Sequence, residues 1–167
     1  MMPLYLTGHF GTPVDVVTLL YAVNCVTVVS LQFMANRISN RIGAGITFSV
    51  GLILYGISDV VFWETGNVLF LIANVVLLTS GENFTSPYAQ IALSRLAPPD
   101  RRGEYFGVGA LASGAIAPFD PFVSTFMLGY FAGALYWMWV ILASACVLFA
   151  VAFWPVQRWL QRSPSPA

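Results

Sequence analysis

The chain has no lysine and a single histidine among its 167 residues. Charged side chains make up 8% of it, about a third of what soluble domains carry. With 58% of its residues hydrophobic, a soluble fold of this length could not hide its apolar surface. Zero net charge implies no polyanion partner, and no Arg-rich patch interleaved with aromatics supports nucleic-acid binding. The histidine, His9, precedes the long apolar runs, so no His-based catalysis is available inside them. There is no HExxH, GxSxG or P-loop, and no metal cluster, which speaks against an enzyme and against a cofactor. Only two cysteines occur, Cys25 and Cys146. Both fall inside apolar runs and read as small buried hydrophobes with reduced thiols, not as a disulfide or metal pair. Strand-like alternation is missing, which excludes a β-barrel.

What remains is apolar sequence, with a mean hydropathy of +0.78. The composition defines an integral membrane protein. Crossing a bilayer takes about 20 helical residues. Five runs are long enough, near 13–35, 44–63, 67–93, 105–129 and 132–156. The punctuation between them is "NRISNRIG", "WETG", "RLAPPDRRGEY" and "GYFAG". The expected fold is an all-α bundle of five transmembrane helices forming one domain over 1–157, with a short polar tail at 158–167. Residues 1–12 are too short to span and lack the basic start of a signal peptide. Pro13 and Asp15 suit a first helical turn.

The arginines orient the bundle. Arg37 and Arg41 follow span one, Arg95, Arg101 and Arg102 flank the loop after span three, and Arg158 and Arg162 follow span five. All seven fall on one side of the five-span arrangement. The positive-inside tendency makes that side cytoplasmic and puts the N-terminus outside, in a bacterial inner (plasma) membrane. Trp63, Trp137, Trp139, Trp154 and Trp159 lie near span ends and read as an interfacial belt.

Against this background Glu82 is conspicuous. It sits in "LLTSGENFTSPYAQ", about 20 Å from either end of span three at 1.5 Å per residue. A charge at that depth costs about 2.5 kcal/mol or more, so such carboxylates are kept for function and face a bundle interior or a watery cavity. The other reading is a protonated glutamate bonded to its neighbours. A carboxyl able to take up and release a proton is what a proton-coupled antiporter needs. Ser80, Asn83, Thr85 and Ser86 surround it, and Pro87 removes a helical bond from the Asn83 carbonyl. The "NFT" acceptor pattern falls inside the span and is discarded as a glycosylation site.

Asp120, between Pro118 and Pro121, marks a second site candidate: it lines a vestibule or caps the second half of a broken helix. Tyr21, Asn24 and Thr27 recur every three residues on span one, either lining a cavity beside Glu82 or serving as polar glue. Asn74 falls eight residues before Glu82, on roughly its face. Asp59 reads as an interfacial group. Gly103 with Gly107, and Gly129 with Gly133, have the spacing that allows helix backbones to approach closely.

These features resemble the C-terminal half of a major facilitator superfamily transporter of the drug-efflux-like branch. The opening "PLYL" is similar to the outer end of that half's first helix, and the five spans to helices eight to twelve. The loop "ANRISNRIGAG" resembles the family's Gly-x-x-x-Asp-Arg-x-Gly-Arg-Arg loop through Arg41 and Gly43, with Asn36 and Asn40 replacing its first Gly and its Asp. "APPDRRGEYFG" resembles the corresponding second loop through Arg102 and Gly103. The resemblance implies that span three lines a central cavity, and that Arg41, Gly43, Arg102 and Gly103 belong to gating loops. It further implies small-molecule export by proton exchange, with Glu82 as coupling carboxylate and Asp120, Asn24, Tyr21 and Asn74 as lining groups. Family members carry twelve helices, so the chain reads as a truncated half whose partners are the bilayer, a small-molecule substrate and either a second chain with the N-terminal half or another copy of itself. The competing reading is a non-transporting subunit or fragment that only packs against other helices.

The topology makes a direct prediction. Single cysteines at Asn40 and Asp100, in a background without Cys25 and Cys146, should react with an impermeant thiol reagent from the same membrane face. Labelling from opposite faces would remove the five-span arrangement.

Overall fold

A computed structural model of the chain describes residues 2–62 and 67–155. The described residues form seven helices: α1 (Met2–His9), α2 (Val14–Ile42), α3 (Ala44–Phe62), α4 (Val68–Leu96), α5 (Arg102–Ile116), α6 (Phe119–Tyr130) and α7 (Leu135–Ala152). No strand occurs among the described residues. Among the described residues, five stretches are long and apolar enough to cross a membrane: Val14–Ile42, Gly45–Phe62, Val68–Ser94, Arg102–Tyr130 and Leu135–Ala152. The all-helical, five-span class therefore stands. Arg158, Arg162, Glu64, Trp63, Trp159 and the 158–167 tail lie outside the described residues.

The helix ends follow local chemistry. Pro13, extended at φ −58° and ψ 146°, opens α2, and Asp15 lies in its first turn. Asn67 caps α4, its side chain accepting from the Leu69 N–H at 3.0 Å. Helix α4 then runs unbroken through Pro87 and stops before Pro98 and Pro99. Span four is broken, as its prolines require: α5 ends at Ile116 and α6 starts after Pro118.

One expectation fails usefully. "NRISNRIG" is not a loop. Helix α2 continues through it to Ile42, and Gly43 alone separates α2 from α3. Gly43 has φ +95°, and its N–H bonds the Ser39 carbonyl at 2.9 Å. A side chain in that backbone region would cost of order 1–3 kcal/mol, which is why a glycine serves.

Lipid tails are as apolar as leucine, so helices in a bilayer associate through packing and hydrogen bonds. The closest packing joins α3 to α4. A Cβ on Gly51 would lie 2.8 Å from the Gly81 carbonyl oxygen and 2.7 Å from Thr85 Cγ2. One on Gly81 would lie 2.9 Å from the Gly51 carbonyl oxygen. Only glycines permit this backbone contact. Gly56 does the same toward α7, where a Cβ on it would lie 3.2 Å from the Ala143 carbonyl oxygen. The pairs expected to do this work do not: a Cβ on Gly103, Gly107, Gly129 or Gly133 would meet nothing within 4 Å. No residue of α5 is buried among those described.

The apolar core gathers at the arginine-free end. Tyr5 and Leu6 of α1, Leu20 of α2, Phe62 of α3, Leu71 and Val75 of α4, and Met138 and Trp139 of α7 pack together. Trp139 stacks on Phe62 at 5.6 Å and meets the Tyr5 ring edge-on at 5.0 Å. Trp139 is therefore a core residue and not part of an interfacial belt, whereas Trp137 and Trp154 are exposed. Cys25 is exposed as well, contrary to its expected burial, and Cys146 is half-buried; both thiols are free. At the other end Phe48, Tyr88 and Phe153 tie α3, α4 and the end of α7 by ring contacts of 4.6 to 6.4 Å. Outward faces carry apolar side chains such as Phe33, Leu69 and Leu111, suited to lipid.

The glycine crossing yields a stability prediction. Gly81→Val should lower unfolding free energy in detergent by about 1–3 kcal/mol through overpacking. Gly107→Ala, in open space, should leave it unchanged. Equal unfolding midpoints for both variants would argue against the crossing.

Candidate functional site

Helix α4 positions the site. It contacts α3 on one face and α2 on another, and Glu82 is the middle residue of its 29. Glu82 lies on the stripe of Leu71, Val75 and Leu78, spaced four, three and four residues. Leu71 and Val75 are buried at the arginine-free end, in the core they share with residues of α1, α2, α3 and α7. Glu82 is exposed. Its nearest context is α3: Tyr55 lies within electrostatic reach of Glu82 and hydrogen-bonds with Thr85. The Thr85 hydroxyl also donates to the Glu82 carbonyl oxygen at 3.0 Å.

The expected lining groups divide. Asn24 donates through Nδ2 to Thr79 Oγ1 at 2.7 Å, and Thr79 donates to the Val75 carbonyl at 2.7 Å. Thr27 is buried and turned to its own helix, donating to the Val23 carbonyl at 2.7 Å. Asn74, 2% exposed, donates to the Ser58 carbonyl of α3 at 3.2 Å. Asn24 and Asn74 thus tie α4 to α2 and α3 by side-chain bonds. Tyr21 is exposed on α2. Asp120 is the second residue of α6, whose cap position is Pro118. Asp59 is half-buried in the last turn of α3, within electrostatic reach of Cys146 on α7.

Among the gating-loop candidates, Arg41 lies in the last turn of α2 and is exposed, and Gly43 is the positive-φ residue between α2 and α3. Arg102 and Gly103 open α5 and are exposed. Beside them Arg101 pairs with Glu104 at 2.6 Å on the surface. Such an exposed pair contributes little to stability and mainly fixes the helix start.

A feature not foreseen lies between α2 and α4 at the arginine end. Gln32, Asn36, Ser39 and Asn40 face Asn83, Ser86, Pro87, Gln90 and Ile91 across a cavity of about 280 Å³. The signal is present in the sequence once α2 is carried to Ile42. The α2 residues then recur at i, i+4, i+7 and i+8 on one helical face.

The Major Facilitator Superfamily profile matches residues 1–167, the whole chain. Taken with the five spanning helices, that match places the chain in the major facilitator superfamily. Neither a curated protein nor a solved structure gives a match. Members of the superfamily are transporters and not enzymes, so the chain is a membrane protein of small-molecule transport, set in lipid.

The Asn24–Thr79 bond is testable by a double-mutant cycle. Asn24→Leu and Thr79→Val together should show a coupling of about 0.6 kcal/mol in unfolding free energy, typical of interhelical bonds in membranes. Strictly additive effects would mean that the bond does not hold α2 to α4.

Proposed function

We propose that the chain is the C-terminal-half portion of a drug-efflux-like major facilitator, exporting small molecules in exchange for protons. Glu82 is the coupling carboxyl. The observation that carries this reading is its position: the middle of α4, on the stripe that is core at one end and uncovered at its own level. A carboxyl there is reachable by protons and expensive to maintain without use. Tyr55 supplies a phenol beside it from α3.

The uncovered stripe, and a span α5–α6 on which α5 has no buried residue, are where a second set of helices would pack. That set comes from an N-terminal half on another chain or from another copy of this one. Alternating access then rocks the two halves about a site near mid-depth. Asp120 and Tyr21 line the path, while Arg41, Gly43, Arg102 and Gly103 form the inner gating loops. The arginines hold their side in the cytoplasm of a bacterial inner membrane, with the N-terminus outside. The competing reading, a non-transporting subunit, draws support from Asn24 and Asn74, whose side-chain amides bond neighbouring helices instead of a substrate path.

The two readings separate in proteoliposomes. With an imposed proton gradient, the parent chain with its completing half should move a fluorescent amphipathic cation, and Glu82→Gln should lose proton-linked flux by at least roughly tenfold. Equal flux from both proteins removes Glu82 as the coupling group, and no flux from either favours the subunit reading.

A further inference from the structure

The arginine-free end of the bundle is closed by rings in series. Phe62 of α3 stacks on Trp139 of α7 at 5.6 Å, Trp139 meets the Tyr5 ring of α1 edge-on at 5.0 Å, and Tyr5 stacks on His9 at 5.4 Å with the planes 21° apart. Phe10 packs edge-on against both Tyr5 and His9, at 5.6 and 4.9 Å. The series starts in the core, where Phe62 and Tyr5 are each 2% exposed, and it ends on an exposed imidazole. His9 is the single histidine of the chain. Histidine is the side chain whose charge ordinarily changes between pH 5 and 8, and here it forms the surface end of a stack rooted in the core.

A charge on His9 would gain twice. His9 is the last residue of α1, where the carbonyls of the final turn present partial negative charge. Its ring also lies over the face of Tyr5, whose π-electrons attract a cation. The other groups around it stay uncharged. Burial pushes the pKa of the Tyr5 phenol up, and the phenol hydrogen-bonds with Trp139, so Tyr5 is neutral throughout this range. The core residues that α2, α3, α4 and α7 bring to Tyr5 and Leu6 carry no ionisable group. Beside His9 lies a cavity of about 250 Å³, whose far wall is Leu128, Ala132 and Leu135. Asp15 of α2 is the nearest acid along the chain; it is exposed and forms no ion pair with His9 among the described residues. The cavity leaves α1 lightly held on that side, and a Cβ on Gly8 would meet nothing within 4 Å. An element gripped on one face opens readily, so a small added interaction shifts it most.

We propose that His9 is a pH-sensitive latch for α1: protonated, it grips Tyr5 and holds the helix on the bundle; neutral, it lets α1 open more often. The sign follows from which form gains. Both interactions favour the charged ring, so their contribution is present at acidic pH and is lost as pH rises and the imidazole gives up its proton. Helix α1 carries Tyr5 and Leu6 into the core, so the latch sets how firmly the arginine-free end is closed. The latch does not depend on the transport reading, because a chain that moves no cargo can still hold or release α1.

The test is amide hydrogen exchange on the full chain in nanodiscs, at about pH 5 and about pH 8, the limits of ordinary imidazole titration. Protection is corrected for the intrinsic pH dependence of exchange. The α1 amides should be roughly tenfold better protected at the acidic pH, while the α7 amides, as reference, stay unchanged. His9→Arg keeps a planar cation that stacks on tyrosine, and should hold the high protection at both pH values. His9→Gln, uncharged throughout, should hold the low protection at both. Asp15→Asn should keep the parent's pH response. Equal protection of parent α1 at the two pH values, a response retained by His9→Gln, or low protection in His9→Arg would each overturn the latch. So would a response lost with Asp15→Asn, which would make the effect an ion pair, or one shared by the α7 amides, which would make it a change of the whole bundle.

Discussion

The bundle depends on a contact between backbones. Where Gly51 meets Gly81, α3 and α4 touch main chain to main chain, closer than any side chain would allow. In water such a contact would be a minor addition to hydrophobic burial. In a bilayer there is no water to release between helices, and close packing is most of what holds them. The crossing therefore fixes α4. Along the same seam Asn74 reaches the Ser58 carbonyl, and on the next face Thr79 takes the amide of Asn24. Helix α4 becomes the post to which α2 and α3 are fastened separately.

That arrangement explains why one helix changes character halfway along. Before Gly81 its inward stripe is Leu71 and Val75, buried in the apolar core. After it come Glu82, Asn83, Ser86 and Gln90, and to the last three α2 offers amides and a serine instead of leucines. Polarity inside a membrane protein is easiest to tolerate when it is uncharged and lines space shared with polar neighbours. The amide wall meets that condition. Glu82 does not, and it occupies the uncovered stripe beside Tyr55.

Much of this was legible without coordinates, and the failures have physical causes. Span number and placement depend on length and apolarity alone, which survive any error in facing. The place of Glu82 at the middle of its helix followed from counting. The α2 terminus was lost because Asn and Arg read as loop punctuation, while at a membrane interface they continue a helix whose backbone bonds are made internally. That single error hid the α2 wall of the cavity, since Gln32, Asn36, Ser39 and Asn40 share a face only if the helix runs on. The glycine pairs of α5 misled for a different reason. Small-residue spacing shows where a backbone could approach, not which helix will come, and Gly51 and Gly81, thirty residues apart, form no local pattern. Trp139 lies near a span end, as does Trp137 two residues before it, and two steps of about 100° separate a ring in the core from an exposed ring.

The same 100° step organises the site. Glu82 and Asn83 are consecutive, so they face different sectors of α4: one toward the Tyr55 side, the other into the amide-lined cavity. On the reading proposed above, the first handles a proton, while the second borders the space beside it. Coupling requires that the state of one be felt by the other. The shortest route is the peptide unit that joins them. It lies one turn before Pro87, where the Asn83 carbonyl has lost its helical donor and the backbone is least constrained. A change of charge at Glu82 would act on a segment already freed to shift, against a crossing at Gly81 that cannot. On the proposed reading, a rigid contact and a loosened turn, one residue apart on either side of a carboxyl, would convert protonation into movement of a neighbouring wall.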